Sequence, residues 1–314
     1  MNTAAIITVT LNPAIDKSTS ITALIPEKKL RCTDPIFEPG GGGINVARAI
    51  KRLGGNATAI YLAGGYTGKF FSEMLEKEKI NSVKIETAKQ TRENLIVFDN
   101  ATGLQYRFGM PGPKVETPEW GKILSTLEKI KKIDFLVASG SIPQGVPLDI
   151  YARIAAIAKK KNAKCIVDTS GEPLLHAADE GVYLLKPNLG EMASLIESKN
   201  IDSKNIAALA NDLIARKKCE VLVVSMGASG AMMITKDGVK KIIAPIVKRK
   251  GTVGAGDSMV AGIVLSLAKG EKILDAVRYG IACGSAATMN AGTQLCNLSD
   301  VNKLYKNEIT VNEL

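Results

Sequence analysis

Residues 251–258, Gly-Thr-Val-Gly-Ala-Gly-Asp-Ser, join a glycine-rich backbone to one carboxylate and open into residues 258–265, an apolar run as dense as a buried helix. A loop that feeds a helix N-terminus presents unpaired N–H groups and the positive end of the helix dipole, where anions collect. Its glycines let a ligand approach the backbone closely. Asp257 does not belong in a plain anion nest, because a carboxylate there repels a phosphate unless it has a chemical role. General base chemistry supplies one, in which Asp257 would take the proton of a hydroxyl that attacks a phosphoryl group held by the neighbouring amides. The competing reading makes Asp257 a helix cap. No Gly-Lys-Ser/Thr follows, so this is no Walker A loop, and the third glycine of a dinucleotide fingerprint is missing.

Other stretches repeat the theme of polar or glycine-rich turns after apolar runs. Pro39-Gly-Gly-Gly-Gly-Ile-Asn45-Val-Ala-Arg48 sets four glycines before a helix, a costly run to order. It suits a backbone passing tightly against a small polar molecule, with Asn45 offering a donor and an acceptor; a tight turn alone would need fewer glycines. In Lys186-Pro-Asn188-Leu-Gly-Glu191, the Asn and Glu spaced by three read as groups that reach a hydrated Mg²⁺ through water, against a plain acid at a helix start. Asn12-Pro-Ala-Ile-Asp16 ends the first strand, where an open α/β sheet binds ligands, so Asp16 is placed for sugar hydroxyls. Ser139-Gly-Ser141-Ile-Pro143 and Ser225-Met-Gly227-Ala-Ser-Gly230 end two further strands. Five such loops on one sheet edge are hard to explain by packing.

The elements that must position these groups alternate. Strands are expected over 6–11, 58–62, 135–138, 164–168, 183–186, 221–225 and 231–234, and helices over 44–53, 70–79, 120–131, 148–161, 191–198, 205–217, 258–269 and 272–290. That alternation is the mark of βαβ units and a mostly parallel sheet. Residues 94–108 break it: two strand-like runs around Asp99-Asn-Ala-Thr-Gly103 predict an antiparallel hairpin. Residues 17–37 are also strand-like, interrupted at Pro26, and the two pieces are expected to form a small sheet beside the main body. Arg92 and Arg107 could let that sheet close over a charged ligand, although arginines on an edge hairpin are commonly just solvated.

The 314 residues carry a net charge of +10 and only 4 % aromatics. The charge favours anionic ligands, and the aliphatic composition suits a parallel-sheet core rather than a stacking surface for nucleic acid. Lysines 129, 131, 132 and 159–161 fall at predicted helix ends and read as solvated. Five scattered cysteines without a Cys-x-x-Cys pair argue for a reducing compartment and against zinc. No signal peptide or spanning segment is evident, so a cytoplasmic location and no membrane partner are expected. His176, the single histidine, is expected on the surface.

Residues 40–49, Lys186-Pro-Asn-x-x-Glu191 and Thr252-Val-Gly-Ala-Gly-Asp257 together resemble the two signatures and the Asn-x-x-Glu motif of the ribokinase-like, or phosphofructokinase-B, sugar kinases, in order and over nearly the whole chain. Residues 29–48 and Tyr106-Arg-Phe-Gly-Met-Pro-Gly112 are similar to the type 2 6-phosphofructokinase branch of that family. The resemblance implies an α/β, three-layer sandwich with a mostly parallel central sheet and a small β-sheet lid. The main body would be 1–16, 37–92 and 111–314, and the lid 17–36 and 93–110, which in relatives pairs into a homodimer.

The resemblance further implies ATP-dependent phosphorylation of the C1 hydroxyl of fructose 6-phosphate, with tagatose 6-phosphate or fructose 1-phosphate as alternative substrates. Carried over motif by motif, Asp257 is the base and the amides of Gly254, Ala255 and Gly256 are the anion hole. Asp16, Gly41, Gly42, Asn45 and Ser141 hold the sugar, and Arg92 and Lys29 its phosphate. Lys186, Asn188, Ser225, Gly227, Gly230 and Ser285 bound ATP, Glu191 organises Mg²⁺ through water, and carbonyls of Gly251, Val253, Ala287, Asn290 and Gly292 hold K⁺. Inhibition by a second MgATP is a further family trait, for which Lys29 is the matching lid residue. Two features depart from the pattern: Gly251 stands where many relatives have Asp, and residues 10–16 also fit fructose-1-phosphate and tagatose-6-phosphate kinases. Those kinases usually place Lys within the glycine run, where this chain has Gly42-Gly43. An NAD-dependent oxidoreductase would need Gly-x-Gly-x-x-Gly where Asn12-Pro-Ala stands, and a silent sugar-phosphate sensor would not need both Asp257 and Glu191.

Overall fold

The computed structural model describes residues 4–196, 206–290, 292–307 and 309–313. The chain begins with β1 (Ile6–Thr10), β2 (Ala14–Ile21), β3 (Ile36–Gly40), α1 (Gly42–Arg52), β4 (Thr58–Ala63), α2 (Gly65–Lys77), β5 (Asn81–Glu86), β6 (Arg92–Asp99) and β7 (Leu104–Phe108). It continues through α3 (Thr117–Lys129), β8 (Phe135–Ser139), α4 (Ile150–Lys160), β9 (Lys164–Asp168), α5 (Glu172–Glu180), β10 (Val182–Leu185), α6 (Leu189–Leu195) and α7 (Ile206–Ala215). It closes with β11 (Cys219–Ser225), β12 (Ala231–Thr235), β13 (Gly238–Ile242), α8 (Ala255–Ala268), α9 (Ile273–Thr288), α10 (Leu298–Asn307) and β14 (Val311–Glu313).

The large sheet runs β14-β13-β12-β11-β10-β9-β8-β1-β4-β5. From β11 to β5 every pairing is parallel, and β12, β13 and β14 are added antiparallel. Its central strands are buried on both faces, as parallel strands between two helical layers must be. Side-chain alternation sorts the core accordingly. Phe135 and Val137 belong to one apolar cluster with α1, α8 and α9; Leu136 and Ala138 belong to the other with α3, α4 and α5. Three layers result, each held by aliphatic burial worth roughly 1.5–3 kcal/mol per enclosed side chain.

The small sheet has the order β3-β2-β6-β7. β6 and β7 form the expected hairpin, and β2 pairs parallel with β6 through Ala14↔Arg92 to Ile21↔Asp99. Its strands grow out of the main body: β2 starts two residues before Asp16, and β3 runs into the glycines that start α1.

All seven predicted strands form. Elements outside the expected spans are the strands β5, β13 and β14 and the helices α5 and α10, where the pattern is short or polar. The helix expected over 191–198 starts earlier, at Leu189, and its last two residues lie outside those described, as does Asn205 at the start of the next. The helix expected from 258 begins at Ala255, because Gly254 adopts φ 72 and its carbonyl accepts the amide of Ser258 at 2.8 Å. His176 is exposed, as expected, and all five cysteines are free. Among the described residues, no helix is long and apolar enough to cross a membrane.

Candidate active site

The site forms where the parallel strands end and α1, α6 and α8 begin. Asp257 occupies the third position of α8, after Gly254 at the N-cap, and the start of this helix has no side-chain cap. The capping reading is therefore excluded. Its carboxylate points instead at α1: Asn45 Nδ2 donates to Asp257 Oδ2 at 2.9 Å. Asp257 stays partly exposed while protein surrounds its carboxylate. Burial, with the charge of Asp168 second, pushes its carboxyl up from the ordinary 3.8 to about 7, although the Asn45 hydrogen bond and Lys186 oppose the shift. A base with that affinity is half ionised near neutrality, where general base catalysis is most effective.

Beside it stands a buried ion pair. Lys186 Nζ lies 3.1 Å from Asp168 Oδ1, and a Cβ placed on Gly256 would come within 3.3 Å of that ammonium. Burial pulls the Lys186 amine down, but the charge and hydrogen bond of Asp168, then Asp257 and Glu191, more than offset this and hold it above its ordinary value. A permanent cation is thus fixed against the first turn of α8. Asp168 was not singled out from the sequence, although it ends a predicted strand, the criterion applied to Asp16.

The four glycines before α1 answer to this chain's own atoms. A Cβ would stand 2.2 Å from Asp16 Oδ2 at Gly40, 2.9 Å from Thr10 Cγ2 at Gly41, 2.2 Å from Ser139 Oγ at Gly42 and 2.5 Å from the Val9 carbonyl at Gly43. Packing against Asp16 of β2 at Gly40 and against the ends of β1 and β8 at Gly41, Gly42 and Gly43 leaves no room for a side chain at any of the four, so this turn needs more glycines than the one or two expected of a tight turn. The consequence for the site is the same: Gly41, Gly42 and Asn45 are drawn in beside Asp16 and Ser139.

Asp16 is buried, and burial holds its carboxyl above the usual range against the opposing hydrogen bond from Asn94 and the charge of Arg92. Asn94 Nδ2 donates to Asp16 Oδ1 at 2.8 Å. Arg92 bridges the two sheets, donating to the Asn12 and Met110 carbonyls, each at 3.0 Å. Ser141 Oγ accepts from Asn12 Nδ2 at 3.0 Å, which ties it to the same edge. Lys29 is exposed on the β2–β3 connection with no hydrogen bond or ion pair among the described residues, so nothing joins it to Arg92 or Asp16.

Asn188 caps α6 in a reciprocal box: its Oδ1 accepts from the Glu191 amide at 3.0 Å, and Glu191 Oε2 accepts from the Asn188 amide at 2.9 Å. Burial raises the Glu191 carboxyl above its ordinary value. Asn188 also bridges to Ser225 at the end of β11, next to the Gly227–Gly230 turn. Ser285 is half-buried on α9, its carbonyl accepting from Thr288 Oγ1 at 2.7 Å.

Gly251, Asn290 and Gly292 meet. A Cβ on Gly251 would lie 3.1 Å from the Asn290 carbonyl and 3.5 Å from that of Gly292, so a side chain would fill a cradle of hard oxygens suited to an alkali cation. The Ala287 carbonyl accepts from the Asn290 amide, and Val253 lies in the turn between the cradle and Gly254.

A half-buried carboxylate in the first turn of a glycine-led helix, with a fixed cation beside it and Asn45 against it, is the arrangement that phosphoryl transfer to a hydroxyl calls for. The model of the pfkB family carbohydrate kinases matches residues 1–300, and the chain belongs to that family. It is 42% identical over 301 residues to the ATP-dependent 6-phosphofructokinase isozyme 2 of Escherichia coli (strain K12), covering 96% of this chain and 97% of the relative. The protein of the same name from Mycobacterium tuberculosis (strain H37Rv) is 39% identical over 302 residues, covering 96% and 89%. The crystal structure of Escherichia coli phosphofructokinase-2 in complex with potassium superposes with a TM-score of 0.93, covering 96% of this chain and 98% of that one. The three layers and small sheet are thus the ribokinase-like fold that the resemblance implied.

Proposed function

We propose that this chain is an ATP-dependent 6-phosphofructokinase that moves the γ-phosphoryl group of MgATP to the C1 hydroxyl of fructose 6-phosphate, giving fructose 1,6-bisphosphate. The observation that carries the reading is the placement of Asp257: in the first turn of α8, and hydrogen-bonded to Asn45 from the glycine run. A hydroxyl held by Asn45 and Asp16 would meet the base and the Gly254–Gly256 amides in one cleft. Asp257 takes the hydroxyl proton as the oxygen attacks. The amides receive the charge that develops on the transferred group, with no reorganisation needed. Lys186, kept charged by Asp168, faces the phosphates, and Arg92 and Lys29 the sugar phosphate.

Asn188, Ser225, Gly227, Gly230 and Ser285 bound the nucleotide in this reading, and Glu191 reaches the Mg²⁺ of MgATP through water. The carbonyls of Gly251, Asn290 and Gly292, with those of Val253 and Ala287, hold K⁺, which fixes the backbone of the anion hole. Segments 17–36 and 93–110 act as a lid on the main body of 1–16, 37–92 and 111–314, and two lids pair in a homodimer in the cytoplasm. The exposed Ile36, Phe37, Leu104 and Phe108 support that pairing. A relative named 1-phosphofructokinase from Bacillus subtilis is 32% identical over 91% of this chain, a weaker match than the 6-phosphofructokinases. A coupled assay comparing kcat/KM for fructose 6-phosphate, tagatose 6-phosphate and fructose 1-phosphate tests the assignment; preference for either of the last two would replace it.

A further inference from the structure

We infer that Glu38 is a positioning residue for the monovalent-cation loop, acting through Thr293 to strengthen cation binding and to tie that loop to the small sheet. This rests on the cation reading above. Thr293 Oγ1 donates to Glu38 Oε2 across 255 positions of sequence, and both residues are buried. Thr293 directly follows Gly292, one of the cradle carbonyls.

The other side of Glu38 faces Arg48. Arg48 is only 1 % exposed; its Nη2 lies 3.3 Å from Glu38 Oε1, and it binds both oxygens of Glu78 at 2.8 and 2.6 Å and the Pro39 carbonyl at 2.7 Å. One guanidinium therefore serves two carboxylates. Two carboxylates face this one guanidinium, and the more buried of them, Glu38, is the one joined to the cation loop; the cations Arg249 and Lys250 on the cavity it shares with Gly292 are exposed to solvent, so the excess at the Glu38–Thr293 contact is negative. An enclosed charge of that sign favours a cation nearby far more than it would in water. Glu38 also belongs to β3, whose backbone pairs with that of Asp16 on β2, so the carboxylate that meets the cation loop hangs from a strand of the small sheet beside the sugar pocket.

The rest of the loop is gripped from the same helix. Arg52, one turn beyond Arg48 on α1, donates to the Leu295 carbonyl at 3.2 Å, which also accepts from Asn290 Nδ2 at 3.0 Å. A Cβ on Gly254 would come within 2.5 Å of Leu295 Cδ2, so the loop is also the floor of the anion-hole turn. Hydrogen bonds from Arg52 and Asn290 hold the loop's shape at Leu295, whereas Glu38 brings negative charge to Thr293.

The experiment follows the melting temperature of the free protein as KCl replaces choline chloride at constant ionic strength, without nucleotide or sugar, in wild type, Glu38→Gln and Thr293→Val. Binding to the folded state stabilises by RT ln(1 + [K⁺]/Kd), so the K⁺ concentration at half-saturation, the midpoint, is fitted from the rise of Tm with KCl. The wild type should show a K⁺-dependent rise. Glu38→Gln should move the midpoint about tenfold higher, the low end of what loss of an outer partner costs a metal site. Thr293→Val, which keeps the carboxylate, should move it in the same direction by a smaller factor. A wild-type response with unchanged midpoints in both variants, even at lower Tm throughout, would reduce Glu38 to a structural tie and overturn the inference. If Glu38→Gln does not fold, an unshifted midpoint in Thr293→Val overturns it alone. No K⁺ response in the wild type would remove the cation reading and this inference with it.

Discussion

Asn45 and Asp257, 212 positions apart in the chain, meet through a 2.9 Å hydrogen bond between the start of α1 and the start of α8. The contact joins the two glycine-rich motifs into one site. It also gives the base a neutral partner that stays satisfied whether the carboxylate is ionised or protonated, since its free oxygen can carry the proton.

Replacing Asp257 by Asn should leave sugar and nucleotide binding in place and lower kcat by ~10²–10⁴, the usual worth of a general base. Equilibrium binding and steady-state kinetics on the same preparation check this. Turnover near that of the wild type would remove Asp257 from the role.

The same variant should change stability with a definite sign. The folded-state pKa of Asp257 is raised, to about 7 from 3.8, so its contribution is whole below about pH 4 and is lost as pH climbs through 7. Asn cannot ionise. Asp257→Asn should therefore be more stable than wild type at pH 8, by on the order of 2–4 kcal/mol, with the gap closing below pH 4. Urea unfolding at both pH values measures it.

The acid limb of the kcat/KM profile, which reports the free enzyme, should fall with a midpoint near 7, because only ionised Asp257 accepts a proton. Asp168→Asn removes the negative neighbour that raises Asp257, an effect larger than that of the Lys186 cation which Asp168 helps to keep protonated, so ionised Asp257 is favoured. The limb should move to lower pH. A pH–rate profile showing no movement, or movement upward, would contradict this electrostatic account.

Asn94→Ala should raise the KM for the sugar phosphate about tenfold, with the KM for ATP and the kcat little changed. Asn94 supplies the hydrogen bond that orients and helps ionise Asp16, and bonds to charged groups are worth ~1.5–3 kcal/mol. An equal effect on both substrates would point to general unfolding of the lid instead.

Gly43→Ala should cost about 2–3 kcal/mol and lower Tm by about 3–5 °C, because its Cβ would meet the Val9 carbonyl of β1 at 2.5 Å and strand backbone cannot move aside. Gly121→Ala in α3 has open space around it and should stabilise by up to about 1 kcal/mol. Calorimetry on the two variants separates close packing from helix propensity.

Much of this molecule could be read from its residues. Strand–helix alternation announced the parallel sheet, since period and length are local properties set by which faces must be buried. The motifs after the strands announced the site, because backbone amides and one carboxylate in a glycine-rich turn suit little else. What escaped depended on partners distant in sequence. Asp168, Asn94 and Glu38 look like ordinary polar residues until folding sets them against Lys186, Asp16 and Thr293. Even the four glycines needed the fold to reveal their cause, the carbonyl of Val9 and side chains of Thr10, Asp16 and Ser139 around them. The sequence by itself determined the layers and the chemical groups, which depend on local pattern and residue type. Only the tertiary structure decided the ionisation of Asp257 and the placement of Lys186, because burial and charge act through space and not along the chain.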